Sequence, residues 1–319
     1  MRITIVTPVA ATPRTGNRAT ATRWAGFLAA QGHDVVINPP AGCEVDAMIA
    51  LHAWRSAEAI AAFRATHPGR PLFVALTGTD LYHFLAADPA PTLRSLDLAD
   101  RLIGLHDRVA AVLPPHVRDK LRVVHQSARG RATRSPPVAE VFEVLVVGHL
   151  RPEKDPFRAA LAARMLPPSS RIRIVQCGAA HDPAWAETAR AEMAANPRYV
   201  WLGDLPPARV RRLMARARAM VLSSHMEGGA NVISEAVVSG LPVIASRIDG
   251  SVGLLGEDYP AYFPVSDTAA LACLLERVER DDTFLTALHR HGEARAPLFA
   301  PARESAALAA ILAEMSGTP

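Results

Sequence analysis

The sequence predicts an α/β protein built from two doubly wound domains in tandem. Three observations carry this. Short apolar runs of strand length alternate with Ala/Arg-rich stretches of helical period along the chain. The alternation is interrupted once, at 128–140, where ARGRATRSPPVAE mixes Arg, Ser and two prolines without an apolar period and reads as a linker. Half of the 319 residues are hydrophobic and only 5% are aromatic, which excludes disorder and fits about two domains. The expected division is 1–135 for the first domain, joined by a returning C-terminal helix over 300–319, and 136–299 for the second.

ITIVTP (3–8) is the first strand, followed by a Gly/Pro/Thr/Arg loop and the helix NRATATRWAGFLAAQG, which stops at Gly32. VVINP (35–39), DAMIALH (46–52), PLFVALTG (71–78) and RLIGLH (101–106) continue the strand series, with WRSAEAIAAFRATH helical between them. Beyond the linker the order is strand VFEVLVVGHL, helix 155–166, strand RIRIVQCG, helix 183–195, strand YVWLGD, helix 207–217, strand AMVLSS, a helix from about Asn231, and strand PVIAS. Strand–helix alternation of this kind argues for parallel sheets. PARESAALAAILAEM is an amphipathic helix suited to dock on the first domain.

Charge narrows the partners. Lys+Arg 35 against Asp+Glu 31 gives a net charge of +4, too thin for a basic groove despite a pI near 9.3. RVRRLMARAR (209–218) has no interleaved aromatics and reads as a solvated helical face, so no nucleic-acid partner is expected. The only lysines are Lys120 and Lys154. Cys43, Cys177 and Cys273 are widely spaced and odd in number, which argues against a disulfide framework or zinc cage. The first residues do not read as a secretory signal, and no run approaches the roughly 18 apolar residues of a spanning helix. The expectation is a reduced cytoplasm and no membrane partner; oligomeric state is left open.

Ligands of open parallel sheets bind at the carboxyl ends of strands, so the loops there hold the candidate residues. In SSHMEGGANVISEAVVSGLPVIAS (223–246), Glu227 and Glu235 bracket two glycines and a helix start at Asn231. A helix start seats phosphate or a polarised sugar, and carboxylates accept hydrogen bonds from hydroxyls. Gly228 and Gly229 would let a ligand approach the backbone. A capped helix with solvated acids is the competing structural reading. Arg151 and Lys154 follow the strand VFEVLVVGHL and offer a planar fork and a point charge to a diphosphate; an exposed pair bridged to Glu153 and Asp155 is the alternative.

These strings resemble the paired-glutamate motif of GT-B glycosyltransferases, the large group of retaining sugar-nucleotide transferases (family 4 type). GHLRPEKDP (148–156) resembles the family's Gly-x-Leu-x-x-x-Lys segment, and VWLGDLPPARVRRLMARARAMVLSS (200–224) its base-binding strand and helix. The resemblance implies two Rossmann-like domains facing a cleft, with no divalent metal. It places Gly148, Cys177, Leu205, Gly229, Ala230, Asn231, Val232 and Glu235 on the nucleotide sugar, and Arg151, Lys154 and Glu227 at the reaction. A redox role for Cys177 is the weaker alternative to simple burial near the base pocket.

The first domain departs from the family's Gly-Gly opening. Gly16, Asn17 and Arg18 stand at the head of the first helix, where Asn and Arg make a small anion site unless Asn17 is merely an N-cap. With ALHAWRS, LTGTDLY, VHQS and GLLGEDYPAYFP, this opening resembles a narrower group, the selenosugar synthases of selenoneine biosynthesis. That implies selenophosphate as acceptor and a UDP-sugar such as UDP-N-acetylglucosamine as donor. Gly16, Asn17, Arg18, His52, Thr77, Thr79 and Asp80 would then line the acceptor side, Asp80 orienting a threonine or an arginine, and His125 would serve the chemistry with Ser127 beside it; a structural role is open for each histidine singly. The rival readings are a GT-B transferase to a hydroxyl acceptor, a UDP-sugar 2-epimerase, and a catalytically dead nucleotide-sugar binding module. A nicotinamide dehydrogenase is excluded because the first turn lacks Gly-x-Gly-x-x-Gly.

Overall fold

Along β3 (Ala47–Leu51), residues 47, 49 and 51 join one apolar cluster while Met48 and Ala50 join another. Period-two alternation with both faces buried is what a sheet covered by helices on each side requires. The computed structural model describes residues 1–8, 16–40, 42–130, 135–136 and 140–316, and the chain divides into two compact units. The first comprises Met1–Ser127, Glu227–Gly229 and Ala300–Pro319.

Its sheet is fully parallel, in the order β2-β1-β3-β4-β5-β6, with β1 (Arg2–Val6), β2 (Asp34–Ile37), β4 (Leu72–Ala75), β5 (Arg101–Gly104) and β6 (Leu121–Val123). Helix α1 (Gly16–Ala30) buries Ala21, Trp24 and Leu28 on one face together with Leu308, Ile311 and Leu312. The other face is covered from α2 (Ala57–Thr66) by Ile60 and Phe63. A π-helical turn (Asp80–Phe84) runs into the short α3 (Leu85–Ala87) and then α4 (Pro89–Leu98); α5 (Val109–Val112) follows β5. Strand β6, only three residues long, is the short strand run that His125 follows.

The second unit, Ala128–Met226 with Ala230–Phe299, holds a second parallel sheet, β12-β11-β10-β7-β8-β9. Its elements run β7 (Phe142–Val147), a 3-10 turn (Pro152–Lys154), α6 (Arg158–Arg164), β8 (Ile172–Cys177), α7 (Pro183–Ala195), β9 (Tyr199–Trp201), α8 (Pro207–Arg216), β10 (Ala219–Leu222), α9 (Asn231–Val238), β11 (Val243–Ser246), α10 (Asp249–Leu255), β12 (Tyr262–Phe263), α11 (Thr268–Arg280) and α12 (Asp282–Arg295). The helix expected over 155–166 is shorter: Asp155 takes a left-handed φ of 44° and separates the 3-10 turn from α6. One continuous apolar cluster from Phe142 to Phe299 fills this unit.

Helix α13 (Pro301–Ser316) is part of the first unit and packs on α1. Glu304, 1% exposed, anchors it. Its carboxylate accepts from Arg23 Nε at 2.9 Å, Trp24 Nε1 at 2.7 Å and the Ser127 N–H at 2.7 Å. Most of the expected linker (131–134 and 137–139), like residues 9–15 of the N-terminal loop, lies outside the described residues. Among the described residues no helix is long and apolar enough to cross a membrane.

Candidate functional site

In the second unit, β10, β7 and β8 are neighbours, and their carboxyl ends bring the predicted diphosphate residues together. Val147 is in register with Cys177, so the next residues, Gly148 and Gly178, meet. A Cβ on Gly178 would stand 2.0 Å from the Gly148 carbonyl oxygen, and its φ of 150° is one that L side chains rarely adopt. That glycine therefore serves the close passage of two strand ends. Over Gly148 lies the stem of Lys154, whose Cδ would be 3.7 Å from a Cβ placed there.

The turn carrying Arg151 and Lys154 is held from β10. Ser223 Oγ lies 3.1 Å from the Lys154 carbonyl and 2.9 Å from that of Asp155, and the His225 N–H donates to the Glu153 carbonyl at 2.8 Å. Arg151 Nε stands 3.8 Å from Glu153 Oε2, beyond hydrogen-bond distance. Asp155 pairs with Arg158 at 2.7 Å and lies 3.5 Å from His225 Nε2. The self-paired alternative for Arg151 is thus reduced to one long contact.

Gly148, Lys154, Pro156, Gln176, Ser223 and Ser224 line a small pocket at these strand ends. Sequence reasoning missed Gln176, although a polar residue inside RIRIVQCG is the signal for it. Its Oε1 accepts from Tyr199 OH at 2.7 Å, while Nε2 is buried without a hydrogen-bond partner. Cys177 beside it is 1% exposed, and burial pushes its thiol up to about 11, so it is a packed thiol and not a poised thiolate. Leu205 lies half-buried in the loop after β9 and packs on the core.

Between β10 and α9 runs the glutamate string. Ala230 is the N-cap and has no side-chain acceptor, so α9 starts at Asn231 without a side-chain cap from that residue. Glu235 follows Asn231 by four positions and lies on the same face of the helix. Val232 is half-buried against the core.

Glu227–Gly229 belongs to the first unit, and there the expected room for a ligand is occupied by protein. A Cβ on Gly228 would lie 2.3 Å from the Gly78 nitrogen, and one on Gly78 2.6 Å from the Gly228 nitrogen. The two turns touch backbone to backbone, which only a glycine pair permits. Gly229 is similarly closed in: its Cβ would be 2.5 Å from Leu105 Cβ and 2.9 Å from Gln126 Oε1. Glu227 itself is half-buried.

Around Gly78 the predicted acceptor residues assemble. Asp80, 0% exposed, accepts from the N–H groups of Ala53 at 3.0 Å, Gly78 at 2.7 Å, Leu81 at 3.2 Å and Thr77 at 3.0 Å. It orients the threonine turn through the backbone rather than through a threonine hydroxyl or an arginine. His52 Nε2 lies 2.9 Å from Thr79 Oγ1. Gly16 and Asn17 open α1, with Asn17 half-buried and Arg18 exposed; Asn17 is the second helical residue and not a cap. Thr20 Oγ1 donates to the Gly16 carbonyl at 3.0 Å and accepts from Gln126 Nε2 at 2.6 Å, tying this helix start to the segment that bears His125. His125 Nε2 stands 3.1 Å from Asp107 Oδ1, whereas Ser127 gives its N–H to Glu304. The aromatic stack of Trp54 on Phe84, centroids 4.0 Å apart, also escaped the sequence reading.

Two parallel six-stranded sheets, each ending in such a cluster, define a GT-B type glycosyltransferase fold. The chain is similar to Anabaena HepE solved with UDP (TM-score 0.79, 16% identity, 98% of this chain and all of that one). It is also similar to a sucrose-phosphate synthase of Thermosynechococcus elongatus (TM-score 0.79, 16% identity, 99% of each chain). The family model for glycosyl transferases group 1 matches residues 134–295, just over half of the chain, and the chain belongs to that family. Similar curated proteins are the D-inositol 3-phosphate glycosyltransferases of Acidothermus cellulolyticus (29% identical, 51% of this chain, 42% of that protein) and Corynebacterium glutamicum (27%, 62% and 46%). The matched stretch thus spans about half the length of these relatives.

Proposed function

We propose that this chain transfers the sugar of a UDP-sugar, UDP-N-acetylglucosamine being the first to test, to selenophosphate. The observation that carries the donor half is the Arg151–Lys154 turn, locked by Ser223 at the end of the strand that leads into α9. Departure of UDP needs positive charge in place before the bond breaks, and a pre-held Arg and Lys with a helix start provide it without a divalent metal. Glu227 receives sugar hydroxyls and Glu235 the ribose diol. HepE, whose solved structures contain UDP and UDP-glucose, supports this half.

On the acceptor side, Gly16, Asn17, Arg18, His52, Thr77 and Thr79 receive the anion and His125 attends the reacting atoms. Selenium attacks the anomeric carbon with its own electron pair, the bond from that carbon to the UDP oxygen breaks, and UDP departs with the bonding electrons. Water then attacks phosphorus, the Se–P bond breaks, and phosphate and a selenosugar result. An anionic nucleophile needs little general-base help. The names of the curated relatives support a phosphate-bearing acceptor and also favour a second reading, in which a hydroxyl of a phosphorylated polyol attacks instead.

The test is anaerobic incubation with UDP-N-acetylglucosamine alone, with selenophosphate, and with D-inositol 3-phosphate, following UDP release and product mass. Release that requires selenophosphate and yields a selenium-bearing sugar is expected. Release only with the inositol phosphate would select the second reading, and no release with several UDP-sugars would reject both.

A further inference from the structure

One arrangement in the first unit says what kind of ligand oxygen the threonine turn is set to receive. β3 ends at Leu51, and His52 takes a φ of 75°, in the left-handed region where a non-glycine residue is uncommon. The ring is turned so that Nδ1 accepts the Arg55 N–H at 3.1 Å. A ring nitrogen that accepts carries no proton, so the proton of the neutral imidazole is on Nε2, which faces Thr79 Oγ1 at 2.9 Å. His52 therefore donates and Thr79 accepts, leaving the single proton of that hydroxyl for something else.

Two residues earlier, Thr77 Oγ1 is enclosed without a hydrogen-bond partner. The charged acceptor of this turn is already taken, since the Asp80 carboxylate is filled by the N–H groups of Ala53, Thr77, Gly78 and Leu81. The pattern recurs at the next strand end but one: His106 Nδ1 accepts the Arg108 N–H at 3.2 Å, and its Nε2 lies 3.0 Å from the OH of Tyr82, in the π-helical turn that follows Thr79. Burial lowers the pKa of His52, outweighing the Asp80 charge, so the imidazole is neutral near pH 7.

We propose that His52 is a positioning residue that makes Thr79 a proton donor, so that the Thr77–Thr79 turn selects a ligand oxygen carrying no proton, a phosphate-type oxyanion, over a neutral hydroxyl. This rests on reading the turn as the acceptor side in the proposed function. The test uses inorganic phosphate as the probe, without UDP-sugar or turnover. Thr79→Val and His52→Phe should each weaken phosphate binding by about tenfold, the loss of one hydrogen bond to a charged group. The double variant should be no worse than either, and His52→Gln, whose amide N–H replaces Nε2–H, should bind within about twofold of the parent.

Nitrogen-15 spectra of the histidines should show His52 protonated on Nε2 alone. In turnover the same variants should raise KM for the acceptor and leave KM for the UDP-sugar unchanged. Undiminished phosphate binding in His52→Phe, a multiplicative double variant, or a proton on Nδ1 would overturn the inference, as would absence of phosphate binding in the parent. If His52→Phe fails to fold, Thr79→Val and the spectra decide. A chain that binds phosphate in this way but does not turn over selenophosphate would sink the proposed function and leave this inference standing.

Discussion

Lys154 shows how much one residue carries when its type is scarce. Its stem lies over Gly148 and its carbonyl is held by Ser223, so truncation removes a charge without opening a core. Lys154→Ala is expected to lower kcat by about a hundredfold or more and to change stability by less than about 0.5 kcal/mol; steady-state kinetics beside thermal melts check both. His52 has a different signature. Its pKa is lowered in the fold by burial, against a value of 6.5 when unfolded, with Asp80 opposing and Arg55 reinforcing the shift. The unfolded chain then binds the extra proton, so the contribution is complete above about pH 6.5 and is lost as pH falls through that value toward the lowered one. Melting temperature should drop across this window, and His52→Gln should flatten that part of the profile; an unchanged slope would remove the buried neutral imidazole from the account. Gly78 and Gly228 are fixed by space alone, because each leaves room for the other's backbone.

At the level of elements, α13 shows a long-range anchor that pattern alone does not display. Its amphipathic spacing was readable, and the expected docking on the first domain follows from Leu308, Ile311 and Leu312. What the pattern hides is Glu304, an acid on the buried face, which reads as a violation of the helix period until Arg23, Trp24 and Ser127 are seen around it. At the far end, Glu314 meets Arg101 and Arg122, whose guanidinium groups hold its carboxyl down to about 2. Glu304→Ala should destabilise the protein by about 1–3 kcal/mol, because the Trp24 and Ser127 N–H groups lose their acceptor while Arg23, part-exposed, can turn to water. Urea denaturation is the measurement, and Glu304→Gln, which keeps an acceptor for Trp24 and Ser127, should lose less.

Across the whole molecule, the legible features were those set by period and by chain order. Strands buried on both faces and long helices announced two parallel sheets, and the strand-end rule directed attention to Arg151, Lys154 and the Glu227–Glu235 string. The less legible features depend on contacts between distant segments: Gln176 held by Tyr199, the filling of Asp80 by four backbone groups, the neutral tautomer of His52, and the use of Gly228 for protein rather than ligand. The two units also keep separate apolar clusters, the first shared between two faces of its sheet and the second continuous. Separate cores allow separate unfolding, because cooperativity follows shared burial. Calorimetry should therefore resolve two transitions that respond to different perturbations. UDP at a hundredfold excess over its Kd should stabilise the unit bearing Arg151 and Lys154 by about 2.7 kcal/mol, and Glu304→Ala should lower only the other. A single transition moved by both treatments would instead mean that the halves unfold as one body.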